Sequence, residues 1–189
     1  MSFDLARALR QIKPQAVRPA PARRPDAALP FATVLDLTGP PLLLDSCVYI
    51  DALQGRRPPL VQNIMRSRAC DHSTIALAEL THLFGRLDPR HAETEAALAQ
   101  VEGVIKDIPA HRLRTPDETV WGVGGILAGL LFRLGGFQPG QETKCLNDAM
   151  LYVQAGRLGA TLISRNLKEF DVLDQLVGGV RLLFYRQAA

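Results

Sequence analysis

Four places in this 189-residue chain carry side chains whose types and settings suit chemistry at a metal ion or a phosphate. Asp45 ends the apolar run PLLLD, and Glu79 follows the run TIALAE. Asp148 stands in the helical segment just before the strand-like TLIS, which Ser164-Arg165-Asn166 closes. In open parallel sheets, functional groups gather just beyond the carboxyl ends of the strands. The flanks of Asp45 and Glu79 are apolar. Burying an uncompensated carboxylate is costly, and crowded carboxylates oppose one another's ionisation. A hard divalent cation relieves both problems, and carboxylates with water are the expected ligands for Mg²⁺ or Mn²⁺. Each acid also has a purely structural reading: Asp45 and Asp148 as helix caps, Glu79 as an exposed residue on an outer helix face.

The surrounding pattern supplies elements to position these groups. ATVLDL and PPLLLDS read as short buried strands, CVYIDAL as a helix start, and VQNIMRSRA as helical. STIALAEL reads as a strand passing into a helix that carries Glu79, HAETEAALAQVEGVI as a long helix, and HRLRT as a short strand. Residues 116–134 form a helix with Thr115 as N-cap and Pro116 in its first turn. Its later part, 120–132, is 13 residues without a charge. That is short of the ~20 a membrane span needs, so it reads as a buried helix. GGFQPGQETK is a loop, LNDAMLYVQAGRLG a helix opened by Asp148 and its neighbours, ATLISRN a strand, and VRLLFYR the last strand. Alternating helices and strands predict an α/β fold with a mainly parallel sheet.

Composition narrows the class. Apolar residues make up 47% and charged residues 22% of the chain, which is ordinary globular usage and excludes general disorder, collagen and coiled coil. Cys47, Cys70 and Cys145 are too few for a disulfide scaffold and show no metal-ligand spacing. Nor do His72, His82, His91 and His111. With no secretory h-region and no membrane span, a reducing, cytoplasmic setting is expected. The net charge of +3 is unevenly placed: residues 1–30 carry +4 and the remainder −1. The first 30 residues contain a short amphipathic helix, FDLARALRQIK, and then five prolines in residues 14–30. This reads as a basic arm on an extended linker, ahead of a single domain over 31–189.

Three stretches in order, LLLDSCVYIDAL, TIALAEL and LNDAMLYVQAGRLGATLISRNLKEF, resemble the PIN domain. The similarity is closest to the VapC-type toxins of bacterial toxin–antitoxin pairs and covers residues 41–186. It implies a three-layer α/β/α architecture. It also implies that Asp45, Glu79 and Asp148 hold a Mg²⁺ or Mn²⁺ ion, with Ser46 and Ser164 as supporting hydroxyls. Asn166 stands where many relatives carry a fourth acid, and Glu169 or Asp171 would be the nearby substitutes. The implied reaction is metal-dependent hydrolysis of RNA phosphodiester bonds. Arg165 is best placed to meet the RNA backbone, and Arg56, Arg57, Arg66 and Arg68 offer a second basic patch. The implied partners are RNA, a cognate antitoxin and a second copy of the chain in a homodimer, with no membrane. The alternative is a PIN-like module that binds nucleic acid but cleaves poorly, because Asn166 lacks the fourth charge.

Overall fold

The computed structural model describes residues 3–16 and 19–188. Helix α1 (Leu5–Ile12) comes first, with the Asp4 side chain accepting from the Arg7 N–H at its start. Strand β1 (Leu42–Leu44) leads into α2 (Ser46–Leu53) and α3 (Pro59–Ser67), and β2 (Cys70–Ser73) into α4 (Thr74–Arg86) and α5 (Thr94–Lys106). Then follow β3 (Leu113–Arg114), α6 (Glu118–Leu134), α7 (Glu142–Leu158), β4 (Thr161–Ser164), α8 (Leu167–Val177) and β5 (Arg181–Phe184). The five strands form one sheet in the order β3-β2-β1-β4-β5, and every pairing is parallel.

The alternation of side chains along each strand divides the core into two halves. Leu43, Leu162, Leu182 and Phe184 pack against α6, α7 and α8. Leu42, Leu44, Ile163 and Leu183 pack against α2, α3, α4 and α5 on the other face. Helices on both faces of a parallel sheet make a three-layer α/β/α molecule, and strands buried on both faces read as unbroken apolar runs such as LLL. Strand β1 lies at the centre, with β2 on one side and β4 on the other. The crevice beyond the carboxyl ends of β1 and β4 is therefore the point where the winding reverses.

Several local expectations change. The ATVLDL segment is not a strand: Val34–Leu37 forms a 3₁₀ turn, closed by a reciprocal cap between Thr33 and Asp36. The second strand is the polar CDHS, and Thr74 already belongs to α4, with Ser73 capping it through the Ile75 N–H. Asp117, not Thr115, caps α6, accepting from the Val120 N–H at 2.8 Å. Helix α7 starts at Glu142, so Asp148 sits inside it and cannot be its cap.

The proline-rich segment does not stand off as a free linker. Ala8, Ile12 and Leu29 are buried, and Ile12 and Leu29 join the core beside α6–α8. The Pro14 and Ala22 carbonyls accept from Arg133 and Gln175. Arg24 bonds Asp171 and Asp174 of α8, and Phe31 bridges to Phe184 of β5. Arg18, counted in the charge of this segment, lies outside the described residues. Among the described residues no helix is long and apolar enough to cross a membrane.

Candidate active site

Asp45 follows the last residue of β1, and its N–H donates to the Ile163 carbonyl of β4. It holds the N-cap position of α2 in backbone conformation, yet its side chain makes no capping bond. The carboxylate is instead 5% exposed and turned into the crevice. Its Oδ2 accepts from Ser164 Oγ at 2.5 Å and from Cys47 Sγ at 3.0 Å, and its Oδ1 from Ser46 Oγ at 3.4 Å. Ser164, the last residue of β4, also takes the Asn166 N–H at 2.8 Å. Asn166 Nδ2 then reaches Asp148 Oδ2 at 3.2 Å. A hydroxyl and an amide thus connect the acid ending β1 to the acid within α7.

Glu79 enters from α4. Asn147 Nδ2 donates to its Oε1 at 2.8 Å, and Ser46 is a second polar neighbour. Burial raises the Glu79 acid above its ordinary range; the neighbouring Ser46 hydroxyl and the Asn147 bond offset part of that, and the Asp45 charge adds to it. Asp148 is 7% exposed. Its acid is pushed well up, first by burial and then by the charges of Asp45, Glu169 and Glu79, with Lys144 acting the other way. Glu169, at the start of α8, is buried and takes Lys144 Nζ at 2.7 Å. So Asp45, Glu79, Asp148 and Glu169 converge electrostatically, and one lysine stands among them. Asp171 is elsewhere, bonded to Arg24 on the far side of α8.

The donor set suits a hard divalent cation in type and charge: Glu79 and Asp148, whose proton affinity is raised by burial and by neighbouring carboxylates, are groups a cation would relieve. As the side chains stand, no three His, Cys, Asp or Glu groups among the described residues are gathered closely enough to hold an ion. Side-chain rotation would be needed for these acids to share one ion.

The cations differ from expectation. Arg165 is not a free guanidinium: its Nε lies 2.9 Å from Asp51, a wholly buried carboxylate that also accepts from Tyr185 Oη at 2.8 Å and Gln187 Nε2 at 2.7 Å. Arg68 is buried against backbone carbonyls, so it leaves the expected surface patch. Sequence reasoning passed over Lys144, Asn147, Cys47 and Asp51. Lys144 had a visible signal, since it stands four residues before Asp148 and hence on the same helix face. The histidines are structural where partners exist: His72 Nδ1 pairs with Tyr49 Oη at 2.7 Å.

No protein-family model matches the chain, and no curated protein matches it significantly. Solved structures do. A chain of VapBC2 from Rickettsia felis, bound to a DNA fragment from its promoter, is 16% identical with a TM-score of 0.50; the match covers 75% of this chain and 96% of that one. A chain of FitAcB from Neisseria gonorrhoeae is 20% identical with a TM-score of 0.52, covering 76% and 96% respectively. Strand order, layer arrangement and these likenesses agree: the chain is a three-layer α/β/α domain of PIN-like fold.

Proposed function

We propose that this protein is a divalent-metal-dependent endoribonuclease that acts as the toxin of a toxin–antitoxin pair. The observation that carries the reading is that buried Asp45 and Asp148 and half-buried Glu79 lie around the reversal point of the sheet, where the Asp45 charge helps raise the acids of Glu79 and Asp148. Asp45, Glu79 and Asp148 would hold Mg²⁺ or Mn²⁺, with Glu169 as the nearest fourth carboxylate in place of Asp171. The ion would polarise a phosphate and make bound water more acidic. The chain's own groups have separate tasks. Ser164 and Ser46 hold the Asp45 carboxylate in orientation, Asn166 holds Asp148, and Asn147 holds Glu79. Lys144 neutralises Glu169 and, with half of its side chain exposed, is the cation we assign to an incoming phosphate. Arg165 meets RNA through the part of its side chain left open beside Asp51, being 40% exposed. An antitoxin protein is the proposed partner, by likeness to the VapBC2 and FitAcB complexes, and a homodimer and a cytoplasmic setting are proposed with it.

The test is RNA cleavage with Mn²⁺ added or chelated, with Asp148→Asn alongside. Cleavage that needs Mn²⁺ and falls by about 10²-fold or more in the variant is expected, in line with the loss of a group acting on the transition state. Equal cleavage by parent and variant overturns the mechanism. A second reading, binding of nucleic acid without efficient cleavage, is favoured by Asn166, whose amide nitrogen faces Asp148 as a donor. RNA binding with no Mn²⁺-dependent product would select it.

A further inference from the structure

At the amino ends of β1, β4 and β5, the opposite edge of the sheet from the acids, lies a cavity of about 410 Å³ lined by Arg24, Asp36, Arg68, Thr161, Asp174 and Arg181. Three guanidinium groups and two carboxylates line it, but the carboxylates are engaged away from two of the cations. Arg24 is shared between two carboxylates, Asp171 at 2.5 Å and Asp174 at 2.7 Å. The Asp36 carboxylate is folded into its own turn, accepting from Thr33 N at 2.8 Å and Thr33 Oγ1 at 3.0 Å. Arg68 and Arg181 therefore share the cavity with no carboxylate in ion-pair contact among the described residues.

Arg68 is the unusual member. It is 9% exposed, and buried charges are ordinarily paired. Its guanidinium meets only neutral acceptors: the Pro40 carbonyl at 2.9 and 2.5 Å, the Asp36 carbonyl at 3.2 Å and Thr161 Oγ1 at 2.8 Å. A guanidinium has five N–H groups; these bonds take four, leaving one on Nη1. Burial works against its charge, Asp36 offsets part of that, and Arg181 adds like-charge repulsion. The loop is shaped around it. Gly39 has a φ of +143°, and a Cβ there would come 3.2 Å from the Arg68 guanidinium carbon. A cation placed in this way beside a second cation calls for an anion.

We propose that this cavity binds a phosphate monoester of about mononucleotide size, its phosphate held by Arg68, Arg181 and the Thr161 hydroxyl. Two guanidinium groups without an ion pair suit a phosphate: Arg68 offers the one N–H left on Nη1, and the exposed Arg181 offers its planar fork. The volume lies within the ~300–1,000 Å³ range of small-molecule sites, so an organic group fits beside the phosphate. The site does not depend on the nuclease reading. Because Arg24 and Asp36 come from the segment ahead of β1, a ligand here fastens that segment to the sheet.

The test is isothermal titration calorimetry of the full chain in EDTA at low salt, with inorganic phosphate and with uridine 5′-monophosphate. Saturable one-to-one binding is expected, tighter for the nucleotide by about tenfold and weakened about tenfold or more in Arg181→Ala, the scale of one charge-assisted contact. Arg181→Glu is expected to abolish binding, and Asp148→Asn to leave it at the parental level. Arg181 is exposed, so its variants fold, and an unchanged melting temperature without ligand verifies this. No saturable binding of either ligand, equal affinity for both, an unchanged affinity in Arg181→Ala, or a loss in Asp148→Asn overturns the proposal.

Discussion

Asp148 concentrates the physics of the acid site. Its folded-state acid lies well above the ordinary range because burial, then Asp45, Glu169 and Glu79, disfavour its charge. An unfolded Asp titrates near ~3.9. The folded protein thus holds this proton more tightly than the unfolded chain does. The stability it contributes is present below the unfolded value and is lost as the pH rises through the folded one. Asp148→Asn is therefore expected to melt above the parent at pH 7 in EDTA, with the gap closing toward pH 4. Mn²⁺ should raise the parent's melting temperature and leave the variant's nearly unchanged, since an ion stabilises only the form that binds it. Thermal melts at several pH values with and without Mn²⁺ check both signs. The three acids were legible because strand-end carboxylates with apolar flanks are conspicuous. Asn147's bond to Glu79 and Ser164's short bond to Asp45 were not, because the partners are 68 and 119 positions away in sequence, and Lys144 showed its helix-face spacing from Asp148 but not its pairing with Glu169, 25 positions on.

Helix α6 shows how one element can hold glycines of opposite consequence. A Cβ on Gly124 would stand 2.7 Å from Met150 Cγ and 3.1 Å from Met150 Cα, so glycine there lets α6 and α7 approach. Gly125 and Gly129 face open space among the described residues. Gly124→Ala is expected to cost about 1–3 kcal/mol by overpacking. Gly125→Ala and Gly129→Ala should each add roughly 0.5–1 kcal/mol through helix propensity alone. Urea melts of the three variants separate the two effects. Legibility varied with the element in the same physical way. LLL and TLIS announced themselves because both faces of those strands are covered by helices. CDHS did not, because its polar side chains are satisfied at long range: Asp71 by Arg114 at 2.9 Å and Arg112 at 3.6 Å, His72 by Tyr49, and Ser73 by Gln154 at 2.6 Å. A polar strand buried with its partners looks like a loop until the partners are known.

For the whole molecule, the segment ahead of β1 is the largest departure from the sequence reading. Its charge and prolines describe a detached arm, but its counter-ions lie on α8, 147 and 150 positions on. Asp171 is wholly buried, and Arg24 supplies it both a guanidinium and a backbone N–H. Removing one partner of a buried pair costs ~3–5 kcal/mol; with Arg24 partly exposed, Arg24→Ala should cost about 2–3 kcal/mol. Asp171→Asn in that background should recover part of the loss, because the unpaired charge disappears. Chemical denaturation of the two single variants and the double variant measures the coupling. The order of the strands has a temporal meaning as well. Strand β1 pairs Leu42 with Thr161, and Phe31 waits for Phe184. A chain emerging from the ribosome folds from its amino end, so a nascent chain ending after α5 has Asp45 and Glu79 but neither Asp148 nor Ser164. The acid cluster is completed only by α7 and β4. Whatever the acids do, the protein becomes capable of it only after α7 and β4 have been made.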